Sequence, residues 1–423
     1  MQRGMIKPII NIGFQAIFKL IFAIASLKVV AFYVGPNGMA VVGQIQAFLQ
    51  ILSAGASSVT TTGVVKLIAE DKTPKERALQ SSLVLLTAFS FSFFLILLFA
   101  DDVISNFFLQ GEWGRALLLL PLGAFFLGLN NLFVSYFNGC QKYNEYFWFS
   151  VITALLTALS TCALAISFGK SGAIYSIALA PVIAGLFVLL LPARFRLPKF
   201  NLMVLDIKTI KVLLSYSFMA LGSVIVVYGV QIALRDYIAI NGSLAEAGVW
   251  YAATRLSDIY MGICSVLFST LLLPKYSSEE NSNLTRMVLK VGGVAFGFVL
   301  MMVASIILFA DFAISLVYGD AFSKAAGVMK VYVVGDGLKC LSWVFLYIMI
   351  AKQHVKFYIA YEVFSALLYL AFCVMFFRFY GFQNMAFGYV LQGGISLFVV
   401  LIWFFAGKYK TSQSDKKDRY DPV

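Results

Sequence analysis

The chain has 423 residues, of which 61% are hydrophobic and only 12% charged, and it carries a net charge of +12. Soluble domains run at roughly 45–50% apolar and about 25% charged, so this composition excludes a wholly soluble protein, and the excess apolar surface must face lipid. The basic residues lie mostly between apolar runs, which favours membrane topology over nucleic-acid binding as their cause.

A bilayer crossing needs about 20 mostly apolar residues. On that measure the sequence predicts about twelve spans, the first six near 8–34, 39–65, 80–100, 115–138, 146–168 and 172–192. Six more follow near 212–239, 247–273, 286–310, 326–350, 357–379 and 385–406. The first stretch is too long for a signal-peptide core and lacks a small-residue cleavage site, so it is read as a retained helix. With the N-terminus inside, Lys and Arg favour the inner segments about fivefold over the outer ones, which hold only Arg115, Lys170, Lys324 and Arg378. This bias places both termini in the cytoplasm. The tail after Lys410 is polar and reads as disordered.

The segments 102–114 and 312–325 mix apolar and polar residues. Each reads either as a helix lying in the outer interface or as an ordinary loop. Trp113, Trp148, Trp250 and Trp403 fall near predicted helix ends, as an interfacial belt requires, whereas Trp343 lies deep in the tenth span. The five cysteines, Cys140, Cys162, Cys264, Cys340 and Cys373, are scattered in or beside apolar runs. They read as small core residues, not as a disulfide or metal framework. Gly293 and Gly297 form one G-x-x-x-G, a weak packing signal. No nucleophile, metal or paired-carboxylate constellation is present, and no cofactor is implied.

An internal repeat is visible. Leu98-Phe99-Ala100-Asp101 with Ile104-Ser105 recurs as Leu308-Phe309-Ala310-Asp311 with Ile314-Ser315. Six spans, an even number, separate the copies, so the halves have the same orientation and form parallel repeats. The expected fold is therefore all-α, with two six-helix lobes at 1–192 and 212–407, a cytoplasmic linker at 193–211 and a tail at 408–423.

Ionisable side chains within a bilayer are costly and are candidate functional residues by default. Lys28, Lys66, Arg235, Asp236 and Lys330 lie near predicted helix ends, where they can snorkel. Lys19, Arg255, Asp258, Asp336, Lys339 and Glu362 lie deeper and must face an interior cavity or one another. Arg255 with Asp258, and Asp336 with Lys339, are spaced i,i+3 on one helix face. Two compatible readings stand for each: an intrahelical ion pair that makes a buried charge tolerable, or an acid that holds a base poised for an anionic ligand. Gln46 aligns with Arg255, and Asn130 with Lys339, at a repeat offset of 209. Polar glue between helices accounts for any one of them; together they suggest a hydrated cleft. Its bases suit phosphate oxygens, and Trp343, Tyr136 and Tyr347 are aromatic candidates for stacking on sugar rings.

Val334-Gly335-Asp336-Gly337-Leu338-Lys339, followed by Ile350-Ala351-Lys352 and Phe357-Tyr358, resembles the Wzx-type flippases, the family of the enterobacterial common antigen and O-antigen flippases. Leu256-Ser257-Asp258, Leu272-Leu273-Pro274 and Gly35-Pro36-Asn37-Gly38 are similar too. The likeness spans nearly the whole chain and is clearest from 250 to 365. It departs at Ala56-Ser57-Ser58, where the family leads one to expect a more basic or glycine-rich lining. The resemblance implies the fold of the superfamily of multidrug, oligosaccharidyl-lipid and polysaccharide exporters, with alternating access. It also implies flipping of an undecaprenyl-pyrophosphate-linked oligosaccharide from the cytoplasmic to the periplasmic leaflet of the inner membrane. Lys19, Gln46, Asn130, Arg255, Lys339 and Trp343 are then the expected pyrophosphate and sugar contacts, with Asp258, Asp336 and Glu362 as candidates for ion coupling. The expected partners are that lipid-linked substrate, membrane lipid, and the polymerase and chain-length regulator of the same glycan pathway, with no nucleic acid.

Two rivals remain. An ion-coupled drug or metabolite antiporter would want acids in the first-half spans, which contain none. A membrane polymerase or glycosyltransferase would want a substantial outer loop with paired acids or arginines, and the outer loops are short.

Overall fold

The computed structural model describes residues 6–60, 64, 68, 74–108, 114–188, 207–278, 281–352 and 354–406. The long elements among them are helices: α1 (Ile6–Thr60), α2 (Lys75–Phe108), α3 (Gly114–Gly139), α4 (Tyr143–Val188) and α5 (Ile207–Asn241). They continue with α6 (Leu244–Ser278), α7 (Asn281–Tyr318), α8 (Ser323–Ala351), α9 (Val355–Tyr380) and α10 (Ala386–Phe405). Each contains a stretch long and apolar enough to cross a membrane.

Two of the helices are double. Gly35 (φ 62°, ψ −175°) interrupts α1 and Gly169 (φ 59°, ψ −136°) interrupts α4. Both sit at positive φ, which glycine adopts without steric penalty. Around the second break the backbone folds closely on itself: a Cβ added to Gly172 would lie 1.9 Å from the Leu164 carbonyl oxygen. With α1 and α4 divided at these glycines, the ten described helices make twelve helical segments, the number of spans that the sequence predicts. Of the two readings for 312–325, an interfacial helix or an ordinary loop, neither describes it: α7 runs uninterrupted to Tyr318, and a 3-10 turn at Asp320–Phe322 leads into α8. Likewise α2 carries on through 102–108, and residues 109–113 lie outside the described residues.

The chain divides into two compact units, Met1–Ile232 and Ala233–Val423. The division falls inside α5; most of the expected 193–211 linker lies outside the described residues, as does the tail from 407. In the first unit α1 packs against α2, α3 and α4, and α3 against α2 and α4. In the second, α8 is central, packed against α6, α7 and α10. Large apolar side chains point outward, among them Phe99 at 85% and Leu308 at 76% exposure. That is costly in water and expected against lipid.

The tryptophan belt holds for Trp148, which is exposed, but not for Trp250 and Trp403, which are buried. Trp250 meets Tyr332 edge-on, and Trp403 stacks on Phe357 and makes a T-shaped contact with His354. Both therefore serve packing within the second unit. The side chain of Trp113 lies outside the described residues. Gly293 and Gly297 form no packing seam among the described residues of this chain, because a Cβ at each would meet nothing within 4 Å.

Candidate functional site

The most elaborate polar group lies in the second unit, on α8. Asp336 is 1% exposed, and both its carboxylate oxygens are occupied by hydroxyls. Ser257 Oγ donates to Oδ2 at 2.7 Å, the Tyr260 hydroxyl also donates to Oδ2, and the Tyr389 hydroxyl donates to Oδ1 at 2.9 Å. An ionised carboxylate is acceptor-only, so it can receive all three at once. The expected ion pair between Asp336 and Lys339 is not formed: the acid turns inward to hydroxyls of α6 and α10, and Lys339 is exposed. Helical geometry explains the divergence, since residues three apart lie about 60° apart around the axis and can face different neighbours.

The flanking glycines make this possible. A Cβ on Gly335 would lie 2.4 Å from Tyr389 Cδ1, and one on Gly337 would lie 2.9 Å from Val299 Cγ1. Without side chains at these positions α8 can approach α10 and α7 closely. The Tyr389 ring has little room to yield, being stacked on Tyr332 at 4.1 Å between centroids and edge-on to Tyr369 at 5.4 Å. Gly335→Ala is therefore expected to destabilise the protein by about 1–3 kcal/mol. It should lower the thermal unfolding temperature in detergent, whereas Gly327→Ala on the same helix, whose Cβ meets nothing, should not.

A stripe of α6 meets a stripe of α8. Ser257 and Tyr260 reach Asp336; Phe268 lies edge-on to Trp343 at 6.3 Å; the Tyr347 hydroxyl donates to Ser265 O at 3.1 Å. The contacts advance together along both helices, so α6 and α8 run in the same direction. Trp343 and Tyr347 thus take part in packing, although both keep partial exposure.

Asp258 lies on another face of α6 and is exposed. The charges of Arg255, Lys339 and Arg235 all act on it. Arg255 is half-buried, whereas Arg235 is buried and lies 5.5 Å from the centroid of the Tyr251 ring. The expectation that Arg235 snorkels is therefore corrected: an aromatic face receives it, a favourable cation–π geometry. Lys330 does not simply snorkel either; its Nζ lies 2.6 Å from Asp311 Oδ2 on α7. Glu362 acts on Tyr358 and Tyr361 of its own helix and has no contact with Asp258 or Asp336 among the described residues.

In the first unit Lys19 is exposed and Gln46 half-buried. Asn130 Oδ1 is buried without a hydrogen-bond partner among the described residues, which is costly for a polar atom unless a ligand or water meets it. Lys66 and the side chains of Ser57, Ser58, Thr60, Thr61 and Thr62 lie outside the described residues.

Ser257, Tyr260 and Tyr389, the residues that hold Asp336, were not among the sequence candidates. The i,i+3 spacing of Ser257 and Tyr260 around Asp258 was a usable signal for a shared helix face. Tyr389 offered none, because 53 residues separate it from Asp336.

Comparison with known proteins gives the family and the fold. The chain is 27% identical over 359 residues to the Lipid III flippase of Escherichia coli (strain K12), covering 79% of this chain and 82% of that one. Its fold is similar to an inward-facing multidrug resistance MATE family transporter of the MOP superfamily, with a TM-score of 0.75 at 19% identity, covering 94% and 96% of the two chains. It is also similar to the Lipid II flippase MurJ in an inward closed conformation, with a TM-score of 0.72 at 16% identity, covering 95% and 87%. These structural likenesses establish an all-helical, multi-pass membrane fold of the MATE and MOP type. Residues 29–327 match the family described as Polysaccharide biosynthesis protein, and the chain belongs to that family.

Proposed function

We propose that this chain is a flippase that carries an undecaprenyl-pyrophosphate-linked oligosaccharide from the cytoplasmic to the periplasmic leaflet of the inner membrane by alternating access. The observation that carries the reading is the cationic group on membrane-depth helices: Arg255, Lys339 and Arg235 all act on the carboxylate of Asp258, and Lys339 acts on Asp336 as well, three bases to two acids. A neutral or cationic cargo has no use for such an excess of bases. A pyrophosphate does, and an arginine can bind it bidentately. Membership of a polysaccharide biosynthesis family and the likeness to the Lipid III flippase support the same substrate class.

Arg255 and Lys339 take the pyrophosphate in this reading, with Trp343 available to a sugar ring. In the first unit Lys19, Gln46 and Asn130 remain the candidate contacts. Asp336 and Asp258 are the proposed coupling acids, and Glu362 is a weaker third. Protonation of Asp336 would force one of its three hydroxyl bonds to reverse or break, since a protonated acid must donate. That would loosen its hold on α6, the helix that carries Arg255 and Asp258. The polymerase and chain-length regulator of the same glycan pathway are the proposed protein partners.

Two measurements test the reading. In vesicles containing the purified protein, a polyprenyl-pyrophosphate-linked oligosaccharide should cross between leaflets faster than in protein-free vesicles; equal rates would defeat the proposal. With both termini in the cytoplasm, a reporter active only in the periplasm should be active after Gly172 or Asp320 and silent after Thr73, Phe200 or Ser412. Activity at Phe200 would overturn the proposed two-lobe organisation with an inner linker at 193–211.

A further inference from the structure

Four sulfur atoms converge inside the second unit. Cys264 Sγ lies 3.8 Å from Met302 Sδ, and Cys340 Sγ lies 3.5 Å from Met261 Sδ. They come from three helices: Met261 and Cys264 from α6, Met302 from α7 and Cys340 from α8. Met261, Cys264 and Cys340 are buried together with Val299, and Met302 and Trp343 pack against them. The chain separations, 38 and 79 residues, hid the convergence from a reading of cysteine spacing.

Thiolate and thioether sulfurs are soft ligands that select Cu(I) over harder ions. With a metal–sulfur bond of about 2.3 Å, the edge of a tetrahedral site is about 3.8 Å. Two of the six edges of such a site, the Cys264–Met302 and Cys340–Met261 separations, are close to that length. Charge narrows the choice further. A monovalent cation held by one thiolate and the two thioethers, with the second thiol left protonated beside it, is neutral, which a low-dielectric interior favours. Zinc would need two thiolates for the same balance, and its protein ligands are thiolate, imidazole and carboxylate, not thioether. Asp336 lies one turn from Cys340 on α8, and its negative charge favours a cation nearby.

We propose that Cys264, Cys340, Met261 and Met302 form a binding site for a soft monovalent cation, Cu(I) or Ag(I). Binding releases one thiol proton and transfers no electrons. It ties α6, α7 and α8 together one turn from Asp336 and the hydroxyls that hold it.

The test uses the full-length protein, purified in detergent under reducing conditions, loaded with Cu(I) and challenged with a chromogenic Cu(I) chelator. The expected result is one strongly retained Cu(I) per chain and a raised thermal unfolding temperature. A Cys140→Ala/Cys162→Ala/Cys373→Ala variant should behave the same, and Cys264→Ser/Cys340→Ser should retain none. Met261→Leu/Met302→Leu nearly conserves core volume and both thiols, so it decides the matter if the serine variant fails to fold. Its retention should weaken about tenfold or more, equivalent to about 1.4 kcal/mol per decade. Retention unchanged in the leucine variant, copper held equally without Cys264 and Cys340, no copper held by the parent chain, or a Cys264–Cys340 disulfide formed in place of binding would each overturn the proposal.

Discussion

Asp336→Leu is expected to abolish surface glycan and to destabilise the protein by about 3 kcal/mol or more. The substitution removes the one acceptor shared by Ser257, Tyr260 and Tyr389. It leaves buried hydroxyls of two helices without a partner, each costing about 1–3 kcal/mol. Asp336→Asn separates fold from coupling. The amide keeps the shape and one acceptor oxygen, but its nitrogen must find an acceptor among groups that now donate, a cost of about 1–3 kcal/mol. That variant should fold, appear in the membrane and bind lipid-linked substrate, yet cannot exchange a proton. In reconstituted vesicles its transport should lose dependence on an imposed pH gradient. Unchanged gradient responses in both Asp336→Asn and Asp258→Asn would eliminate these acids as the coupling site.

Arg255→Ala and Lys339→Ala should each abolish surface glycan while protein level stays near normal. The asymmetry between function and stability follows from exposure. Lys339 is exposed and Arg255 half-buried, so truncation leaves little cavity. A charge-assisted hydrogen bond to phosphate is worth about 1.5–3 kcal/mol, so each loss weakens binding by about ten- to a hundredfold. Lys339→Arg should retain more function than Lys339→Gln, because charge matters more than shape for this contact. Full complementation of a flippase-null strain by both alanine variants would show that these cations do not bind substrate.

The spans were legible because lipid demands long uninterrupted apolar runs and punishes anything else. Even the two breaks could be read, since Gly35-Pro36-Asn37-Gly38 and Gly169 interrupt such runs. The surroundings of the acids were not legible. Asp258 and Asp336 look equivalent in sequence, each three residues from a base. The structure separates them: one is exposed among cations, the other enclosed by hydroxyls. Helix rotation decides this, and local spacing fixes which residues share a face but not what the face meets. The same ambiguity misplaced Trp250 and Trp403. An aromatic at a helix end suits an interfacial belt and an interhelical cluster equally until the neighbouring helices are known.

The central position of α8 also bears on how the protein is made. α8 holds Lys330, Asp336 and Lys339, and even its most apolar 18-residue window has a mean hydropathy of 1.6, against 2.5 for that of α7. An Asp or Lys at the middle of an isolated inserting helix costs about 2.5–3.5 kcal/mol, so α8 is poorly suited to enter lipid alone. Synthesis runs from the N-terminus, so α6 and α7 emerge first. Ser257 and Tyr260 are then already present to receive Asp336, and Asp311 to receive Lys330. Tyr389 on α10 comes last and closes the remaining oxygen. The order of the chain thus supplies most of the partners of its least lipid-tolerant acid before that acid leaves the translocon.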